Sequence, residues 1–228
     1  MRTKAVSAKW LAAVLVCSSA TASSAAPQTQ VLTFELWLAK AERGDASAQY
    51  IAGFMYVRGQ GVAQNLPEAA RWLRASAEQG NANAQWSLGT LYELGFGVPK
   101  DYAEAFRLYG LAAPRGVAEA QSSLGLYYLE GLGTERNYGE AYRWLRSAAR
   151  QGLKEAQLGL GRMYENGLGV PHDLVRAYMW YSLPVETSTR NTPSQQRDAL
   201  AKKLTQDDIE RAQAMARACL QSNFSDCN

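Results

Sequence analysis

Six positions of this chain recur at a fixed interval of 36 residues, and that period constrains the fold more than any other feature of the sequence. Gly53, Gly89, Gly125 and Gly161 keep the interval, as do Ala48, Ala84, Ala120 and Ala156. So do Gln49, Gln85, Gln121 and Gln157, then Tyr56, Tyr92, Tyr128 and Tyr164. Two further glycine series follow, Gly59, Gly95, Gly131 and Gly167, and Gly61, Gly97, Gly133 and Gly169. A period of this length means one supersecondary unit stacked on copies of itself, each burying a face it cannot bury alone. Function is therefore to be sought on a surface that several copies share.

Each copy reads as two helices. In the second, Ala82, Gln85, Leu88, Gly89 and Tyr92 recur at intervals of three and four, the spacing of one helix face, and Gly95 and Gly97 end the helix. Asp101 opens the next helix, and Glu104 three residues on predicts a reciprocal capping box, as do Asn65 with Glu68 and Asn137 with Glu140. The fourth copy departs from that pattern with Asp173 and Arg176. Ala105, Leu108, Ala112 and Ala113 form the buried stripe of this helix, and Gly116 closes the copy as Gly44, Gly80 and Gly152 close others. A glycine inside a helix costs about 1 kcal/mol relative to alanine, so the four central glycines predict close approach of the paired helix, with Tyr92 and its equivalents filling space one turn later. The loop glycine pairs lack the third glycine and the preceding strand of a dinucleotide-binding loop, and read as architecture.

These residues resemble the Sel1-like repeat, a branch of the tetratricopeptide repeat superfamily. The family pattern is present as Ala84, Leu88-Gly89, Tyr92, Gly95-Phe96-Gly97-Val98, Asp101, Ala105, Ala112-Ala113 and Gly116. Its tryptophan position carries Trp72, Trp144 and Trp180, with Leu108 in the second copy. The resemblance covers about residues 45–183, after a half unit at Phe34 to Gly44. It implies an all-α protein, a right-handed α-solenoid of stacked helix-turn-helix repeats of 36 residues with a C-terminal helical cap. It also implies a binding scaffold or adaptor, in bacteria often one exported to the envelope or toward a host.

Arg2, Lys4 and Lys9, the apolar run Trp10 to Val16 and the small residues through Ala26 have the layout of a secretory signal, assigned to residues 1–25. The run is too short to span a bilayer, so no stable membrane insertion is expected. Removal of the three basic residues leaves 21 basic against 21 acidic, and nucleic-acid binding has little electrostatic support, so no nucleic-acid partner is expected. It also leaves Cys219 and Cys227 as a disulfide pair for an oxidising, periplasmic or extracellular compartment. Residues 26–44 form the N-terminal half-repeat and 184–228 a linker with capping helices. Within the latter, Val185 to Thr192 is polar, Pro193 starts a helix, and Thr205 with Asp208 starts another carrying Ile209, Ala212, Met215, Ala216 and Cys219 on one face.

His172, the one histidine, lies in a repeat loop. No nucleophile motif, metal-ligand cluster or cofactor fingerprint accompanies it, so catalytic residues, metal and cofactor are all read as none. Another stripe on the first helices, by resemblance to tetratricopeptide repeats, lines the concave groove. It supplies the candidate partner-binding residues Tyr50, Phe54, Trp86, Thr90, Glu93, Ser122, Leu126, Leu158 and Arg162. Two readings of Tyr50, Phe54 and Trp86 stay open: binding anchors, or packing against the half-unit helix that carries Trp37. The functional expectation is an exported, monomeric scaffold for a protein or peptide. The alternative is an envelope enzyme of β-lactamase-like or peptidoglycan-related activity. A cysteine-rich branch of the family has been associated with the first of these, but the cysteine pair that branch carries within its repeats is missing here.

Overall fold

The computed structural model describes residues 27–183, 193–222, 224 and 227. The signal segment 1–25 and the linker Val185 to Thr192 lie outside the described residues. Among those described there are eleven α-helices, one 3₁₀ turn and no strand. They form two compact units that divide between Val117 and Ala118.

The first unit holds α1 (Pro27–Glu42), α2 (Ala46–Arg58), α3 (Leu66–Glu78), α4 (Ala82–Leu94), α5 (Tyr102–Ala112) and a 3₁₀ turn (Ala113–Arg115). The second holds α6 (Ala118–Glu130), α7 (Tyr138–Arg150), α8 (Lys154–Asn166), α9 (Leu174–Ser182), α10 (Pro193–Ala201) and α11 (Gln206–Gln221). Each unit thus contains two helix pairs, α2–α3 and α4–α5 in one, α6–α7 and α8–α9 in the other.

The central glycines are where the paired helices meet. A Cβ on Gly53 would lie 2.8 Å from Leu73 Cγ, on Gly89 2.7 Å from Tyr109 Cε1, and on Gly125 2.7 Å from Leu145 Cγ. On Gly161 it would run into the Tyr181 ring. The opposing residue always stands 20 positions after the glycine, and it alternates between leucine and tyrosine. The close approach expected from the sequence therefore holds in all four copies, and it offsets the propensity cost of the glycine. The loop glycines do the same between copies. Gly97 has φ +72, which a side chain rarely adopts, and a Cβ there would collide with the Leu66 carbonyl at the start of the preceding copy's second helix.

The second helices begin on side-chain caps. Asn65 accepts from Glu68 N, Asp101 from Ala103 N and Glu104 N, Asn137 from Glu140 N, and Asp173 from Arg176 N. The reciprocal half of the expected capping box does not form in the first three copies. Glu68, Glu104 and Glu140 turn instead to Arg71, Arg107 and Arg143 one turn on, with hydrogen bonds of 2.6–3.1 Å. A charge-assisted guanidinium pair outcompetes a backbone N–H for the same carboxylate. Thr205 and Asp208, at the start of α11, close the box in both directions.

Buried glutamines link helices within and between copies. Gln49 donates from Nε2 to the Ala41 carbonyl (3.2 Å), and Gln85 to the Ala77 carbonyl (3.1 Å). Gln79 donates to Gln49 Oε1 (2.7 Å) and Gln151 to Gln121 Oε1 (2.9 Å). Gln49 and Gln85 thus each reach a carbonyl near the end of the preceding helix, a group the helix itself leaves unbonded.

The two termini are finished differently. At the first, Trp37 of α1 packs with Ala41, Ala48, Ala52 and Trp72, and the Lys40 ammonium sits 4.9 Å from the Trp37 ring centre. Leu32 and Leu36 on α1 stay 65% and 56% exposed. At the second, α10 and α11 lie on α9. Leu200, Ala212, Ala216 and Cys219 join Trp180, Tyr181 and Leu183 in one buried cluster, so the cap covers the apolar end as its sequence pattern implied. Cys219 is bonded to Cys227, and the Phe224 ring lies 3.5 Å from where a Gly152 Cβ would stand.

Candidate functional site

The candidate stripe lies on the first helix of each pair, and each unit carries its own portion. In the first unit, Tyr50 and Phe54 are one turn apart on α2, their ring centres 6.2 Å apart. The Arg58 guanidinium lies over the Phe54 ring at 4.5 Å. Trp86, Thr90 and Glu93 continue the face on α4. All five candidate residues are partly exposed.

Two apolar clusters border these aromatics. Trp37 packs on the Ala48–Ala52–Trp72 side of α2, whereas Tyr50 borders the separate cluster of Val57, Leu73, Leu88 and Leu91. Phe54 and Trp86 belong to neither cluster.

Behind the face stands Tyr109 of α5, fully buried against Gly89. Its hydroxyl donates to Glu93 Oε2 at 2.6 Å and lies 3.4 Å from Thr90 Oγ1. Thr90 in turn donates to the Trp86 carbonyl at 3.1 Å. The carboxylate of Glu93 is thus held in one rotamer from below.

The second unit repeats part of this plan. Tyr181 donates to Glu165 Oε2 at 2.9 Å, and burial together with that carboxylate pushes the Tyr181 hydroxyl pKa far above the usual phenol range. The aromatic positions, however, carry Leu126 and Leu158, both packed along the unit's apolar core. Arg162 pairs with Glu130 at 2.7 Å, closing one charge on another. Ser122 corrects the sequence reading. It is 3% exposed, so it is covered within the fold and offers nothing to a partner, and the stripe is narrower than expected there. Val57 and Leu129, three residues after Phe54 and Leu126 on the same helices, are buried as well.

Tyr109, Tyr181, Arg58 and Glu130 escaped the sequence reading because the consensus of the repeat gives their positions no common residue. A signal was present. Leu73, Tyr109, Leu145 and Tyr181 alternate in step with Val57, Glu93, Leu129 and Glu165, so apolar pairs and tyrosine–carboxylate pairs take turns along the chain.

The profile of the Sel1 repeat matches residues 46–81, 82–116, 118–153 and 154–183. The chain belongs to the Sel1 repeat family. Among solved structures it is similar to a protective antigen of uropathogenic Escherichia coli strains that displays an SLR fold, at 32% identity and a TM-score of 0.76. That match covers 84% of this chain but 42% of the antigen, so the chain spans less than half the length of that relative. A Sel1 repeat protein from Oxalobacter formigenes is 37% identical at a TM-score of 0.59, over 67% of this chain and 66% of the other. A sel1 repeat protein from Klebsiella pneumoniae subsp. pneumoniae shares the fold, with 22% identity, a TM-score of 0.50 and 86% of each chain covered. No curated protein matches the sequence significantly. As a Sel1 repeat protein the chain is an all-helical solenoid of a family that generally mediates protein–protein interactions. No helix among the described residues is long and apolar enough to cross a membrane.

Proposed function

We propose that this Sel1 repeat protein is an exported, monomeric interaction module that captures an extended segment of a protein partner on the first-helix face. Tyr50, Phe54, Trp86, Thr90 and Glu93 make the principal contacts, with Leu126, Leu158 and Arg162 as a secondary set. The observation that carries this reading is the aromatic surface of the first unit. Phe54 and Trp86 are large and partly exposed, while Trp72 of the same unit is 6% exposed and packed. Rigid aromatics of this kind contribute much contact area at small entropic cost and are frequent interface anchors.

Export is supported by the basic, apolar and small-residue order of the N-terminal segment and by the Cys219–Cys227 bond, since cytosolic thiols are kept reduced. Fractionation that recovers a shortened chain beginning near Ser23 or Ala26 outside the cytosol fits this reading; a full-length cytosolic product contradicts it. The enzyme alternative has no specific observation in its favour, His172 being an exposed loop residue.

Peptides selected from a random nonapeptide library on the full chain test the binding function. Trp86→Ala should weaken their binding about 30-fold, the scale of an interface hot spot, with the helical melt unchanged. Selected peptides that bind Trp86→Ala as tightly as the unaltered chain would reject this face.

A further inference from the structure

We propose that Glu93 is a selectivity element of the first unit's face: it favours segments in which a lysine or arginine follows closely on the apolar side chain seated against Phe54 and Trp86. This inference rests on the reading of that face as the partner-binding surface.

Glu93 stands seven residues after Trp86 on α4, two helical turns, so both project to the same side. The Tyr109 hydroxyl takes up Oε2 at 2.6 Å, and among the described residues no donor reaches Oε1. No lysine, arginine or histidine among the described residues forms an ion pair with Glu93, and the last turn of α4 contains no basic residue. A carboxylate at the C-terminal end of a helix lies at the negative end of the helix dipole, where a cation is favoured. The fold therefore supports an acidic group at a helix end that favours positive charge, and no described cation is ion-paired with it.

The second unit shows what a satisfied version looks like. There the position of Thr90 is taken by Arg162, which turns to Glu130 at 2.7 Å, and a cation already occupies the neighbourhood of Glu165. In the first unit Thr90 carries no charge, and Arg58, at the place of Glu130, lies over the Phe54 ring at 4.5 Å. Because Tyr109 is buried against a glycine and fixes Glu93 beforehand, a bound ammonium or guanidinium pays little for ordering its acceptor. Trp86 presents an aromatic face on the same side, a surface that also attracts cations. Tyr109 acts here as a positioning residue, since it touches Glu93 and not the partner.

The probes are phage-displayed random nonapeptides panned on the full chain, followed by a blocked synthetic peptide of the consensus made with either lysine or norleucine at its basic position. Panning should enrich one basic position, and the chain should prefer the lysine peptide about tenfold, the scale of a hydrogen bond to a charged group. Glu93→Gln keeps an acceptor for Tyr109 and therefore the fold, yet its preference should fall to within about twofold, as should that of Glu93→Met as a second variant. Tyr109→Phe should reduce the preference for lysine and leave norleucine-peptide binding unchanged, an outcome that a packing role alone does not produce. A consensus without a basic position, or a lysine preference that survives in Glu93→Gln, overturns the role of Glu93 while Trp86-dependent binding leaves the face itself standing. Failure to select any peptide whose binding needs Trp86 overturns both.

Discussion

The two units place different chemistry at equivalent positions. Positions 54 and 126, 86 and 158, 90 and 162, and 58 and 130 correspond two repeats apart. In the first unit they hold Phe54, Trp86, Thr90 and Arg58; in the second Leu126, Leu158, Arg162 and Glu130. The second unit resolves these positions internally, its leucines lying along the core and its charges paired at 2.7 Å. The first leaves aromatic rings on the surface, with Arg58 over Phe54 and Glu93 held by Tyr109. Beneath this difference the two units share one core plan, a glycine against a side chain 20 positions later. The backbone contacts of the repeat are thus held constant while the face on the first helices varies, which is how one stacked scaffold can present unlike surfaces along its length.

The shared core should show the largest effects, and show them in both units. Gly89→Leu and Gly161→Leu should each destabilise by about 3 kcal/mol, because overpacking against Tyr109 or Tyr181 has no space to relax into. Urea unfolding of the two variants measures this, and a tolerant glycine in either unit would break the equivalence.

The next effect belongs to the second unit alone, since only there is the terminal helix pair covered by a disulfide-closed cap. Cys219→Ser with Cys227→Ser should reduce stability by about 2–3 kcal/mol in the chain-entropy model. Thermal melts of oxidised chain and double variant would reveal it, with α9–α11 the first region to exchange amide hydrogens.

Trp86→Ala and Leu158→Ala sharpen the contrast at equivalent positions. The first should weaken peptide binding by about 2 kcal/mol with little change in stability. The second should do the reverse, costing about 1–2 kcal/mol of stability through a side chain packed on the core. A titration and a melt of each variant separate the cases, and loss of stability in both would return Trp86 to the core.

The smallest effect is expected at Arg162 and Glu130. Their side chains are 38% and 32% exposed, so solvent screening limits the pair to below about 1 kcal/mol, and raised salt should shrink a double-mutant coupling further.

Most of the fold was legible in the sequence because the repeat chemistry is local. Gly95 ends a helix, Asp101 starts one, and Gly89 demands a close neighbour, each for reasons visible within a few residues. What escaped was tertiary. Glu104 as a capping-box partner was a sound local reading, but Arg107 one turn on is the stronger partner. Ser122 was placed by helix periodicity on an open face, and periodicity does not report what covers a face. The Tyr109–Glu93 bond joins residues 16 apart on different helices, and only the alternation among repeats hinted at it. The glutamine series was seen as a pattern, while the bonds of Gln49 and Gln85 to the helix end before them needed the helices in place.

Photo-crosslinking tests the central difference between the units most directly. Phe54→p-benzoyl-phenylalanine and Leu126→p-benzoyl-phenylalanine place the same reactive group at equivalent positions, and each full chain is irradiated with a peptide selected on the unaltered chain. The account predicts a covalent peptide adduct from position 54 and little or none from position 126. Adducts from 126 with none from 54 would contradict it.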